Sequence, residues 1–196
     1  MSVHILVAAS VATLLALGAA GCARKRMQTY ALIETAKGRI TCRLFDDLAP
    51  NAVDVFTSFA QGKLTYTDPN QDFKPVTQPL YNGTMFYLVE PDKLIEGGDP
   101  GNTGAVGPGV QFTAELTPTL KHDRPGILGM VPSGADKYGS QFYITLDAMP
   151  QFDGQRVIFG EVISGIEVAT AISEVKAVDG RPVEPVKIDR VLIVRR

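Results

Sequence analysis

Residues 84–100, "TMFYLVEPDKLIEGGDP", read as two short apolar strands around a Glu90-Pro91-Asp92 turn, followed by a double-glycine turn at Gly97-Gly98. The hairpin is a frame, and its ionisable side chains Glu90, Asp92, Lys93, Glu96 and Asp99 are the first candidates for chemistry. Toward the N-terminus, "YALIE" and "GRITCRLF" alternate with period two on either side of Lys37-Gly38 and predict a second hairpin. The period then changes. "PNAVDVFTSFAQG" places Pro50 in a first turn, Val53, Phe56 and Ala60 on one face, and Gly62 at the stop, the pattern of a short amphipathic helix.

Residues 63–82 hold three prolines and little periodicity, and are expected to be an ordered loop or flap. Beyond the opening hairpin, "VQFTAE", "GILGMV", "QFYITL" and "RVIFGEVI" follow as short strands separated by Gly and Pro. "IEVATAISEV" predicts a second helix and "VKIDRVLIVR" a closing strand. About eight strands with two helices and no βαβ rhythm predict an all-β fold, a closed eight-stranded antiparallel barrel capped by helices.

At 196 residues, 45% hydrophobic and 20% charged, the chain fits one globular domain and an appendage. A net charge of −2 without long Lys/Arg runs argues against a nucleic-acid groove, which needs many cations on one face. The appendage is N-terminal. Ile5–Gly21 carries no charge and ends in small residues before Cys22, as an export signal does. Small residues followed by Cys resemble the processing site of bacterial lipoproteins, which implies a signal peptide over 1–21, lipidation of Cys22, a tether over 22–28 and a domain over 29–196. Ala23 in place of Asp favours the outer membrane under the sorting rule of such proteins. The alternative is an uncleaved anchor, because Ile5–Ala23 is just long enough to span a bilayer. With Cys22 acylated, Cys42 is the one thiol left, and its alternation with Ile40 and Leu44 points it into the core.

Several chemistries fall away on the residues alone. The run "GGDPGNTGAVGPG" lacks both the P-loop ending and a strand-to-helix context, so it is a turn-rich loop. His122 is the sole histidine outside the export segment, and no Cys cluster replaces a His pair, so no metal site is expected. Ser140 is not in a nucleophile elbow, and His122 reads as a structural hydrogen-bonding residue.

The stretches "GRITCRLFDDLAPNAVDVFTSFAQG", "LYNGTMFYLV", "LIEGGDPGNTG", "LKHDRPGILGMV", "GSQFYITL" and "FDGQRVIFGEVISGIEVATAI" occur in the order and spacing of cyclophilins, barrel-type peptidyl-prolyl isomerases, and the resemblance covers about residues 29–195. It implies catalysis of rotation about prolyl amides, whose barrier is ~18–20 kcal/mol, without cofactor or proton transfer. Such a catalyst needs an apolar pocket for the proline ring, anchors for the flanking backbone, and a donor that favours the twisted amide. In cyclophilins the donor is an arginine after Phe-His.

Here that position is Leu88, in "FYLVEP". By the same resemblance the substrate-binding positions are Lys93, Leu94 and Glu96, where Phe, Met and Gln are usual, and Val131 and Pro132, where Ala and Asn are usual. Gln141 is retained, Tyr143 replaces Phe, Gln151 and Phe152 replace Trp and Leu, and Arg156 replaces His. Arg156 is a candidate substitute for the missing guanidinium, or else part of a rim ion-pair cluster with Glu96 and Lys93. The expected function is an isomerase of reduced activity on proline-containing segments of exported proteins. The alternatives are a non-catalytic proline-peptide-binding or chaperone module, and an accessory subunit of an envelope assembly that uses the 63–82 loop.

Overall fold

The computed structural model describes residues 27–105, 107–113, 115–135 and 137–196. The expected signal peptide, Cys22 and most of the tether lie outside the described residues. The chain begins with the predicted hairpin, β1 (Thr29–Thr35) and β2 (Gly38–Leu44), and continues into helix α1 (Pro50–Ala60). Pro50 opens α1 as expected. The free amides of Asn51 and Ala52 donate to the Glu115 carboxylate at 2.9 and 3.0 Å, a cap supplied from another part of the chain.

The 63–82 segment carries more order than its prolines suggest. It folds into a small hairpin of β3 (Tyr66–Asp68) and β4 (Lys74–Val76) around a 3-10 turn. The opening hairpin follows as β5 (Leu88–Glu90) and β6 (Leu94–Gly97), shorter at its start than "TMFYLV" implied. Next come β7 (Phe112–Thr113), β8 (Ile127–Gly134), β9 (Lys137–Thr145), β10 (Ile158–Ser164) and α2 (Ile166–Ser173). The small hairpin of β11 (Ala177–Val178) and β12 (Arg181–Pro182) precedes the last strand, β13 (Ile188–Arg195).

Eight of these strands form one antiparallel path, β13-β1-β2-β10-β8-β9-β6-β5, with β7 paired to β9. The expected closed barrel is corrected on one point: the sheet curls into an open half-barrel, and no ladder joins β5 to β13. The reason lies in β5, whose Val89 amide donates to the Gly180 carbonyl at 2.8 Å, so the β11–β12 turn occupies that edge. A bridge between Met85 and Lys187, flanked by bonds from Phe86 N–H to Val186, from Ile188 N–H to Thr84 and from Gly83 N–H to Ile188, spans the seam.

The curl is filled by aromatic rings. Phe56 of α1 lies 4.9 Å from Tyr81, 5.0 Å from Phe159 and 5.7 Å from Phe142, all fully buried. Cys42 lies in the same core, where burial pushes its thiol up to about 12, so it packs as a small apolar residue. Phe56→Ala empties the centre of this cluster and is expected to cost about 3–5 kcal/mol, read as a lower midpoint at unchanged slope in urea unfolding.

Candidate active site

The GGDP turn positions the site through one carboxylate. Asp99 is fully buried and accepts the amides of Gly101, Thr103 and Gly104 at 3.1, 2.8 and 2.7 Å. Gly98 must be glycine: its φ is +84°, and a Cβ there would lie 2.7 Å from the Ser140 carbonyl. The ordered turn lays Gly104 against the Tyr87 ring, where any side chain would collide at 2.7 Å. Asn102 accepts the Met85 amide at 2.7 Å and ties the turn to the strand leading into β5.

That strand carries a feature the alternation did not reveal. Phe86 and Val89 both enter the core, three residues apart, so Tyr87 and Leu88 both lie outside it. Tyr87 donates its amide to the Glu96 carbonyl at 3.0 Å while Leu88 is the register partner of Glu96, the two-against-one pattern of a β-bulge. The two side chains diverge. Leu88 packs toward Gly180, whereas the Tyr87 hydroxyl lies 3.2 Å from Glu96 Oε2 and 3.4 Å from Gln141 Oε1. Burial and the adjacent Glu96 hold the Tyr87 phenol well above its ordinary range, so it keeps its proton and donates. Tyr87 is the residue that sequence reasoning missed. Its signal was the three-residue spacing of the core positions.

Opposite this hairpin, β9 presents Gln141 and Tyr143, the latter in register with Glu96. Tyr143 is fully buried and lies over Gly129, where an added Cβ would come within 2.2 Å of its ring and hydroxyl. His122 stands behind it, with Nε2 2.7 Å from the Tyr143 hydroxyl and Nδ1 3.0 Å from Asp153 Oδ1. A carboxylate only accepts, so Nδ1 bears the proton and Nε2 accepts from the phenol. Burial draws the His122 pKa below 6.5, more than Asp153 raises it. His122 is the structural residue expected.

Arg156 completes the constellation. Its guanidinium carbon lies 3.7 Å from the Phe152 ring centroid and 5.4 Å from that of Tyr143. Nη1 is 3.8 Å from Glu96 Oε1, within ion-pair range, yet it is buried without a hydrogen-bond acceptor. Burial raises the Glu96 carboxyl pKa, against the pull of Arg156. Arg156 also lines a cavity of about 350 Å³ together with Leu116, Leu120, Lys121, Asp153 and Ile158.

The structure thus brings Glu96, Gln141, Tyr143, Phe152 and Arg156 together, with Leu94 buried at 4% exposure two residues along β6 from Glu96. It does not place Lys93 in the rim cluster, because that side chain is exposed and pairs with Glu90 at 3.3 Å. Pro132 and Gln151 are exposed and Val131 half-buried. Among the described residues no group of three or more His, Cys, Asp or Glu side chains is placed to hold a metal ion.

A curled antiparallel sheet closed by an α-helix, a GGDP turn, and a cluster of polar and aromatic side chains between β6, β9 and the 150–156 turn define a cyclophilin-like protein. Residues 30–193 match the family model of cyclophilin type peptidyl-prolyl cis-trans isomerase/CLD. The chain is 40% identical over 167 residues to peptidyl-prolyl cis-trans isomerase A of Mycobacterium tuberculosis, covering 83% of this chain and 91% of that one. It is 36% identical to peptidyl-prolyl cis-trans isomerase B of Streptomyces anulatus, covering 86% and 98%. A crystal structure of a Cryptosporidium parvum cyclophilin type isomerase superposes with a TM-score of 0.71 at 30% identity, covering 86% and 98%. The chain belongs to the cyclophilin-type peptidyl-prolyl cis-trans isomerase family.

The lowered His122 pKa has a measurable sign. Between the folded pKa and ~6.5 the unfolded chain binds a proton that the folded chain does not, so this contribution to stability is full above ~6.5 and lost as the pH falls. The His122 ring resonance should titrate with a midpoint below 6.5 in an NMR pH series, and His122→Gln should flatten the decline in unfolding free energy between about pH 7 and 5.

Proposed function

We propose that this chain is a slow cyclophilin-type peptidyl-prolyl isomerase, held outside the cytoplasm through Cys22 and acting on proline-containing segments of exported polypeptides. The observation that carries the slow-isomerase reading is the buried, unaccepted Nη1 of Arg156 above the Phe152 and Tyr143 rings. Twisting a prolyl amide breaks its resonance and returns a lone pair to nitrogen, so a donor aimed at that atom stabilises the twisted state over the planar one. Leu88 has no donor to offer. Arg156 has one, and a substrate acceptor would relieve an N–H that now lacks a partner.

The same geometry supports a reduced rate. The guanidinium rests on the apolar walls that a proline ring would use, and Leu94 and Tyr143 are already covered. A substrate must displace Arg156 in part, and the adjoining cavity of about 350 Å³ gives it room to move. Displacement also loosens the pairing with Glu96. Tyr87 and Gln141 remain on the opposite side to hold substrate backbone.

Protease-coupled isomerisation with the wild-type chain should give a measurable rate below that of ordinary cyclophilins. Arg156→Ala should then lower kcat/KM by about 10²–10³, the range for removal of one preorganised donor, measured under conditions where urea unfolding shows the variant fully folded, since Glu96 loses its counter-ion. An unchanged or faster rate makes Arg156 a plug and overturns the assignment. Absence of turnover by the wild type, with proline-dependent peptide binding intact, selects the non-catalytic binding module. Leu88→Arg alone should raise kcat/KM by less than about tenfold, because position 88 leans toward Gly180 and Glu96 competes for the new guanidinium.

A further inference from the structure

The outer face of β13, β1 and β2 does not look like the solvent side of a curled sheet. Period-two alternation places Tyr30 and Leu32 on this face, with Val194 and Leu192 as their register partners on β13. Leu192 and Val194 are each 38% exposed, and the four residues form one apolar strip across two strands. Arginines frame the strip. Arg43 and Arg39 on β2 pair across from Tyr30 and Glu34, Arg190 lies across from Glu34 on β13, and the Arg196 guanidinium sits 4.8 Å over the Tyr30 ring.

Two carboxylates, Glu34 and Glu161, pair with Arg39, Arg190 and Arg43, and Arg124 also reaches Glu161. Asp46 and Asp47 border Arg43 and Asp189 borders Arg39, so arginines and carboxylates alternate around the strip, and the unbalanced positive charge is that of Arg24-Lys25-Arg26 ahead of it in sequence. Arg39, Arg43 and Arg190 stay about half exposed while paired.

The chain enters at this face. Gln28 and Arg196 exchange backbone hydrogen bonds at 2.9 and 3.1 Å, so the first described residues and the C-terminus lie side by side. Ahead of them in sequence stand Arg24-Lys25-Arg26, Cys22 and the uncharged Ile5–Gly21 run. From Cys22 to Tyr30 an extended chain reaches at most about 3.3–3.6 Å per residue, which keeps the face near any bilayer that holds the anchor. Apolar side chains ringed by arginines, continuous with a basic tether, match an interface of anionic headgroups over acyl chains.

We propose that this β13-β1-β2 face docks on the surface of an anionic bilayer. The site lies on β6 and β9, neither of which pairs with β13, β1 or β2, so the docked face and the site use different strands of the sheet. The proposal rests on the membrane-anchored reading above, and the experiment separates the two. The chain contains no Trp, so each Trp variant has a single reporter.

Full-length Leu192→Trp, Val194→Trp and, at the groove lip, Gln151→Trp are reconstituted into brominated phosphatidylcholine vesicles with or without phosphatidylglycerol. Flotation reports the anchor, and quenching reports the face. In anionic vesicles the Leu192→Trp and Val194→Trp emission should fall by about half or more, Gln151→Trp should be unaffected, and the quenching should weaken at about 1 M salt, where the Debye length is about 3 Å. Vesicle-bound protein whose position 192 and 194 reporters remain unquenched overturns the docked face while leaving the anchor intact. Protein that does not float overturns both readings. A spectral shift without lipid that grows with protein concentration assigns the strip to a second copy and also overturns the proposal, as does quenching at Gln151→Trp alone.

Discussion

Strand β9 has no solvent face, and this constraint organises the molecule. From Tyr138 to Thr145 every residue is buried, so side chains on both sides of the strand must find partners within the protein. Inward, Phe142 and Ile144 join the rings that α1 closes over. Outward, Gln141 and Tyr143 form the floor of the site, and their polar atoms are met by Tyr87 and His122. A buried polar atom without a partner costs about 1–3 kcal/mol, so the segments that bring those partners are held as firmly as the core.

The Tyr143 hydroxyl shows how far that requirement reaches. It needs Gly129 beneath the ring, His122 beyond it, and Asp153 to hold the imidazole in one tautomer. Asp153 also accepts the His122 amide and lies within the 150–156 turn that carries Arg156. One added oxygen on the pocket floor is thereby tied to the position of the guanidinium above it. Glu96 and Arg156 occur together for a related reason. Either charge alone in a half-buried groove would lack a counter-ion, and the pair at 3.8 Å keeps both tolerable while leaving Nη1 available.

Legibility differed between parts of the chain. The first hairpin, both helices and most strands were readable because their periods come from simple in-out alternation, and Asp99 with its glycines announced the turn. The β3–β4 hairpin escaped because three-residue strands around a proline-rich turn show no period. The seam between β5 and β13 escaped because it depends on Gly180 reaching Val89, a contact between segments far apart in sequence. Leu88 drew attention as a missing arginine, while the bulge turned its neighbour Tyr87 toward Gln141 and Glu96.

The order of motifs by itself determined the family and the mostly β architecture, because these follow from residue type and spacing along one chain. Only the tertiary structure decided that the sheet stays open, that Lys93 leaves the rim for Glu90, and that Tyr87 is the hydroxyl facing Gln141. It also decided that Arg156 lies on Phe152 with one N–H unaccepted. Each of these outcomes turns on a distance of a few ångströms between side chains from different strands. Such distances are set by packing and hydrogen-bond satisfaction across the whole fold, and no local pattern encodes them.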